Sequence, residues 1–414
     1  MNRLALYFSI LFLTTLQAQD WPQFLGPTRN GIAGDIKLAA EWPKEGPPLL
    51  WERKVGAGFS GPVVANGNLI LFHREADDEV VECIDAASGK TRWRTAYPTA
   101  YVDQFGFDPG PRATPAIADG KVFTFGAEGT LHGLDLATGK KLWVVQVQKV
   151  FRPAKSFFGI ASSPLVEGRT LLVNIGGENG AGIAAFDTAT GKTIWKATDD
   201  EASYSSPVAA TLDGKRHALF LTRNKFYSLD PANGTVRFQL DWAPTVRASV
   251  SAAAPLVVGD SVFITASYGA GAAALTVKGG TFEKLWSSDE ILTSQYASCV
   301  ERGGFLYGLH GRVDTGPAPA LRCVELKTGK LRWSRDAFGG ASLILAGDQL
   351  LLVSDKGECV RVAATPDGFK ESGRTQILGL GQRSHPALAD GRLFARDTKR
   401  LICVDLRSAK VHQR

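Results

Sequence analysis

Arginines interleaved with aromatic side chains are the residues best equipped for chemistry. Arg112, Arg152, Arg247, Arg312 and Arg383 fall among Tyr97, Tyr101, Phe105, Phe107, Phe151, Phe157, Phe158, Tyr204, Trp242, Tyr268 and Tyr296. A guanidinium presents a planar fork of donors to carboxylates, and arginine and aromatic residues are what the centres of binding surfaces enrich. We therefore expect a binding rim of Tyr97, Phe107, Arg152, Tyr204, Trp242, Arg247 and Tyr296. Arg112 and Arg383 each stand three residues before a recurring proline, Pro115 and Pro386, which would aim both at one mouth.

Other chemistries find less support. The acids Asp77-Asp78-Glu79 and Asp199-Asp200-Glu201 are contiguous and lack the alternating oxygen spacing of a calcium loop, so they read as solvated loops. The 6 histidines are scattered, with no pair at zinc-ligand spacing. Spacing singles out no Ser/His/Asp set and no glycine-rich phosphate cradle. Catalytic residues: none assigned; metal ligands: none assigned.

The elements that must position the rim are repeats. Asp, then Gly four residues on, then an aromatic four further, recurs as Asp85/Gly89/Trp93, Asp135/Gly139/Trp143, Asp187/Gly191/Trp195 and Asp230/Gly234/Phe238, with Glu325/Gly329/Trp333 as a variant. A period of about forty to fifty residues means one supersecondary unit copied many times. Each copy runs from a Ser/Ala-rich opening that ends in proline through short alternating apolar segments bounded by Gly, Asp and Asn, the pattern of antiparallel strands. Four strands per copy make a propeller blade. Pro62, Pro115, Pro164, Pro207, Pro255 and Pro386, with degenerate openings near Ser298 and Ser342, count eight blades. The expected fold is an all-β, eight-bladed propeller over 49–414, in which the N-terminal strand around Trp51 completes the last blade.

The recurring tryptophans, aspartates and glycines read as structure rather than catalysis, because they return in most copies. Cys83, Cys323, Cys359 and Cys403 each precede an acidic turn or its equivalent, where Gly133 and Ala185 stand in sister copies. That register asks for a small buried side chain, not a disulfide. Short turns join strands one to two and three to four, whereas the long connections share the opposite rim, where function in rigid β scaffolds concentrates.

Bulk properties agree with a soluble chain: 414 residues, 44% hydrophobic, 21% charged, net charge +6. No Lys/Arg block marks a nucleic-acid tail, so nucleic acid is not expected as a partner. Met1-Asn-Arg3, the apolar run Leu4 to Leu16 and Ala18 read as a secretory signal over 1–18 followed by a leader over 19–48. The run is short for a transmembrane helix. An exported monomer, periplasmic or extracellular, is expected.

The motif Asp-Ala-x-Thr-Gly-Lys-x-x-Trp resembles the blade of the pyrroloquinoline quinone (PQQ)-like propeller family. Asp20-Trp-Pro-Gln-Phe-Leu-Gly26, Gly110-Pro-Arg-Ala-Thr-Pro115 and Ser203-Tyr-Ser-Ser-Pro207 are similar to its exported bacterial members. The resemblance implies one of two roles. Quinoprotein alcohol and glucose dehydrogenases hold PQQ with calcium in such a ring, and Arg112 or Arg383 would then pair a quinone carboxylate. This chain has no Cys-Cys step of the alcohol enzymes. The BamB group is instead a scaffold for outer-membrane assembly, and here the first cysteine is Cys83, so a lipidated N-terminal cysteine is lacking. The expected function is a non-catalytic envelope scaffold for a protein or glycan, with a PQQ-dependent oxidoreductase as the alternative.

Overall fold

The computed structural model describes residues 19–34, 36, 38–154, 156–246 and 249–407. The expected signal segment 1–18 and Arg247 lie outside them. Eight antiparallel blades of four strands form the ring, and the helical content among the described residues is Val147–Phe151. In blade one the innermost strand Val63–Ala65 is buried throughout and the second, Asn68–Glu75, is buried over its middle, whereas the outer strand Thr91–Pro98 alternates exposed and half-buried residues. Continuous apolar runs therefore mark inner strands, and alternation marks the outer ones.

The ring closes as the repeats require. Leu49–Lys54 pairs antiparallel with Arg400–Asp405, placing Trp51 opposite Cys403 and completing blade eight. The pairing covers two sheet edges that would otherwise template aggregation.

Blades are fastened by the repeated tryptophans. The indole N–H donates to a turn carbonyl of the next blade, from Trp51 to Ala86 (3.1 Å), Trp93 to Leu136 (2.8 Å), Trp143 to Thr188 (3.1 Å), Trp195 to Pro231 (3.1 Å) and Trp286 to Leu326 (2.7 Å). The ring lies on that turn's glycine: a Cβ on Gly139 would sit 2.3 Å from Trp93. Phe238 is the exception, and the turn of the following blade has no indole over Gly279 or Gly280. Trp and Gly are thus coupled across the interfaces that Trp51, Trp93, Trp143, Trp195 and Trp286 make.

A second set of bonds runs around the channel. The residue before four of the leading prolines offers its N–H to a hydroxyl of the next blade: Gly61 to Thr114 (3.1 Å), Thr114 to Ser163 (2.9 Å), Ser163 to Ser206 (2.9 Å) and Ala254 to Ser298 (3.0 Å). This explains the Ser/Ala-rich openings. Blade eight carries His385 at that position.

Opposite the tryptophan slot each third strand carries a small residue, such as Cys83, Gly133, Ala185 or Cys323, and all five cysteines are free and buried. Cys359 departs from the expected register. It faces Thr375, and the slot belongs to Arg361 opposite Gly373. Blade seven lacks its own tryptophan, and Trp42 fills the space, with the Arg361 guanidinium 5.2 Å from its ring and donating to the Ala39 and Ala40 carbonyls.

Within the expected leader, the segment 19–34 crosses the channel and touches every blade. Trp21 exchanges two hydrogen bonds of 2.8 Å with Val64 of blade one, and Pro22 accepts from Ile117 of blade two (2.8 Å). Arg29 donates to Pro164 (2.9 Å) and Ser163 (3.2 Å) of blade three. Leu25 packs with Val208 and Ala254 of blades four and five. Gly31 abuts Val300 of blade six and accepts from Leu345 of blade seven, where Ile32–Ala33 adds a parallel fifth strand. Gln19 accepts from Asp390 of blade eight (3.1 Å). Asp20 receives the Asn66 N–H in a turn between strands one and two, so the plug fills the short-turn end.

Candidate functional site

With one end plugged, the channel opens on the long-loop face as a cavity of about 380 Å³. Phe24 of the plug, Thr114, Ser206, Ser298 and Ser342 of the hydroxyl belt, and His385 make its deep end. The walls are Phe59, Phe105, Phe107, Phe157, Phe158, Tyr204, Tyr268 and Tyr296. Their rings pack in series, with centroids 5.1 Å apart for Phe105 and Phe158, 5.9 Å for Phe107 and Phe158, and 5.7 Å for Phe158 and Tyr204. Such tilted and edge-to-face packing stiffens an apolar wall.

Arg112 and Arg383 both line this cavity, but their surroundings differ. Arg112 pairs with Asp103 at 3.0 Å and donates to Tyr101 Oη (3.2 Å) and the carbonyls of Phe158 (3.2 Å) and Asp108 (3.1 Å). Burial alone would raise the Asp103 carboxyl. N–H donors from Asp108, Phe105 and Phe107, together with Arg112, outweigh it and hold the group below its ordinary value. Arg112 is thus a brace that folds the long loop 101–112 over the cavity edge.

Arg383 has no hydrogen-bond acceptor and no carboxylate within 4.0 Å among the described residues; its guanidinium lies between Phe107 (5.0 Å) and Phe59 (5.6 Å). The other charges are already matched. Asp314 is held by two bonds from Arg312 (2.9 and 3.0 Å), which keep its carboxyl below the ordinary value despite burial. Burial pushes His385 down to about 4, although its Nδ1 lies 2.9 Å from the Pro386 carbonyl and its Nε2 3.0 Å from that of Leu343. At neutral pH the imidazole is uncharged. Burial likewise pushes the Tyr296 hydroxyl up to about 12. Among the described lining residues the unpaired charge is that of Arg383.

Of the expected rim residues, Phe107, Tyr204 and Tyr296 meet at the cavity. Tyr204 accepts the Phe158 N–H at 3.1 Å, fixing that loop. Tyr97 lies elsewhere, in the outer strand of blade one with its ring 4.4 Å from His132. Trp242 is buried in the core between blades four and five. Arg152 is exposed at the C-cap of the short helix, away from the cavity. Arg247 is outside the described residues. Strand alternation explains Tyr97 and Trp242: each falls at a strand end where the ring turns toward the neighbouring blade. In the acidic clusters Asp77, Asp78, Asp199 and Glu201 are exposed, as expected of solvated acids, but Glu79 is buried with the Ala127 N–H on its carboxylate (2.8 Å), and buried Asp200 accepts from Thr222 Oγ1 (2.5 Å) and Asn224 N–H (3.1 Å).

Phe24, Phe59, Ser249, Gln295 and His385 also line the cavity and were not foreseen. For His385 a signal existed: it breaks the series of small residues before the leading prolines. The plug's role had none, because a segment with no repeat partner gives no register.

A family profile described as outer membrane protein assembly factor BamB matches residues 43–177 and 77–313. A quinohemoprotein alcohol dehydrogenase of Pseudomonas putida is 32% identical over 119 residues, 28% of this chain and 17% of that protein. The outer membrane protein assembly factor BamB of Xanthomonas campestris is 33% identical over 90 residues, 21% of each. The matches therefore span about a fifth of those relatives. Among solved structures, BamB from Moraxella catarrhalis superposes with a TM-score of 0.64 at 16% identity, over 89% of this chain and 99% of that one. The quinohemoprotein alcohol dehydrogenase of Comamonas testosteroni gives 0.66 at 14%, over 96% and 82%. At these identities the superpositions show the eight-bladed fold alone, and it is the profile, matching more than half of the repeat array that builds this ring, that shows the chain to belong to the BamB family of PQQ-like propellers.

Proposed function

We propose that this chain is an exported, non-catalytic scaffold that binds a protein of the bacterial cell envelope through its long-loop face. One observation carries the reading. Val102 (71% exposed), Phe105 (52%), Phe107 (48%) and Leu380 (77%) stand on the loops around the aromatic cavity, so a braced face presents apolar side chains to solvent. Exposed apolar patches of this kind mark interaction sites. The BamB relatives, named for outer membrane protein assembly, support a partner in the envelope. Among the described residues no helix is long and apolar enough to cross a membrane.

The quinoprotein relatives support a second reading, a PQQ-dependent oxidoreductase with calcium. The cavity does not fit that pair. Calcium takes six to eight oxygen ligands, with carboxylates prominent. The lining carboxylate here is Asp314, committed to Arg312, and the described residues hold no group of three or more His, Cys, Asp or Glu arranged for a metal.

The test is site-specific photo-crosslinking in envelope extract. A crosslinker at Phe105 should yield one discrete adduct that Phe107→Ala weakens, whereas one at Leu142, exposed on the outer wall, should yield none. Equal adducts from both positions would remove the proposal.

A further inference from the structure

Resting on that reading of the long-loop face, we infer that the cavity receives a polypeptide segment carrying a carboxylate between apolar side chains, and that the carboxylate seats on Arg383. Three observations converge. The Arg383 guanidinium faces the cavity without an acceptor or ion pair among the described residues, clamped by Phe59 and Phe107. Aromatic faces restrict the fork's orientation but cannot accept its N–H groups in the plane, so those donors remain open to a carboxylate. Asp355 is close enough to be influenced by Arg383, yet burial raises its carboxyl and no ion pair forms.

The second observation is Ser249, which is 3% exposed, lines the same cavity and has a hydroxyl with no partner. A buried hydroxyl left unmatched is costly, and by turning its side chain toward the cavity Ser249 can offer that hydroxyl to a backbone amide of an inserted chain. The third is the apolar crown. Val102, Val246 and Leu380 lie on loops outside the cavity lining, so a ligand confined to the cavity would leave them exposed, whereas a chain segment can cover them. Charge complementarity selects the anchor, and the crown selects a polypeptide over a small acid.

The experiment is calorimetric titration of the full chain with acetyl-Phe-Glu-Phe-amide, acetyl-Phe-Gln-Phe-amide and phenylacetate, repeated on Arg383→Gln and Arg383→Lys. The Glu peptide should bind about tenfold tighter than the Gln peptide, in the range of a charge-assisted bidentate pair. Arg383→Gln should abolish that preference, and Arg383→Lys, which keeps the charge but loses the fork, should retain part of it. Equal binding of the two peptides, a preference that survives in Arg383→Gln, or phenylacetate matching the Glu peptide would each overturn the inference. If Arg383→Gln melts early, Arg383→Lys carries the comparison. A rim that crosslinks a partner without any Glu preference leaves the scaffold reading standing and removes the anchor alone.

Discussion

Trp42 lies flat over Gly373, where a Cβ would stand 3.1 Å from the indole, and so gives blade seven the aromatic that its own outer strand lacks. The strand opposite carries Arg361 in place of a small residue, and its guanidinium caps the same ring. Trp42→Ala should destabilise the protein by about 2 kcal/mol, below the usual range for a buried tryptophan because this one is half-buried. Chemical denaturation monitored by circular dichroism reads the loss, and an unchanged midpoint would refute the substitution argument.

The tryptophan-to-glycine fastening makes a comparison within one blade possible. Gly139 and Gly120 have nearly the same positive φ, +71° and +69°, but only Gly139 meets an indole; nothing lies within 4 Å of a Cβ on Gly120. Gly120→Ala should cost about 1–2 kcal/mol of backbone strain. Gly139→Ala adds displacement of Trp93 and should lower the melting temperature several degrees further. Equal losses would mean that the interface contributes nothing beyond turn geometry.

The plug should behave as core. Trp21 is 1% exposed, and Trp21→Ala should cost about 3–5 kcal/mol, close to what truncating an interior tryptophan costs in general. Hydrogen exchange should show Val64 and Ile117 amides losing protection in that variant, since they bond to Trp21 and Pro22. Retained protection would place the plug outside the cooperative unit.

Acid should destabilise the ring in two separable steps. Burial pushes His132, His310 and His385 down to about 4 in the folded state, from an ordinary 6.5. Between these values the unfolded chain binds more protons, so stability falls as pH drops from about 6.5 to about 4. Glu82 acts lower: burial would raise it, but His73, Thr91 and Arg53 outweigh that and hold it at about 2, so its contribution is lost between 4.5 and about 2. Replacing His385 by Gln should shrink the upper step in denaturation midpoints measured across pH, with His132 and His310 supplying the rest, and leave the lower one unchanged.

The blade count, the closure at Trp51 and the side of the long loops were legible because a repeat fixes register: once Asp135 to Trp143 is aligned with its sister copies, every strand has its place. Arg112 and Arg383 could be aimed at the mouth for the same reason. Tyr97 and Trp242 were not legible, since at a strand end the direction of a ring depends on its neighbouring blade. The division of labour between the two arginines was hidden as well. It depends on Asp103 folding back onto Arg112, a loop conformation that no periodicity encodes.

The threading of 19–34 past all eight blades bears on biogenesis. Trp21 and Pro22 meet the nearby Val64 and Ile117, but Gly31 and Gln19 wait for Leu345 and Asp390, which lie at the far end of the chain. Contacts of such long sequence separation form slowly. A hydrophobic tether therefore stays unsatisfied until nearly the whole chain is free to fold, a long window in which holdase protection would decide yield.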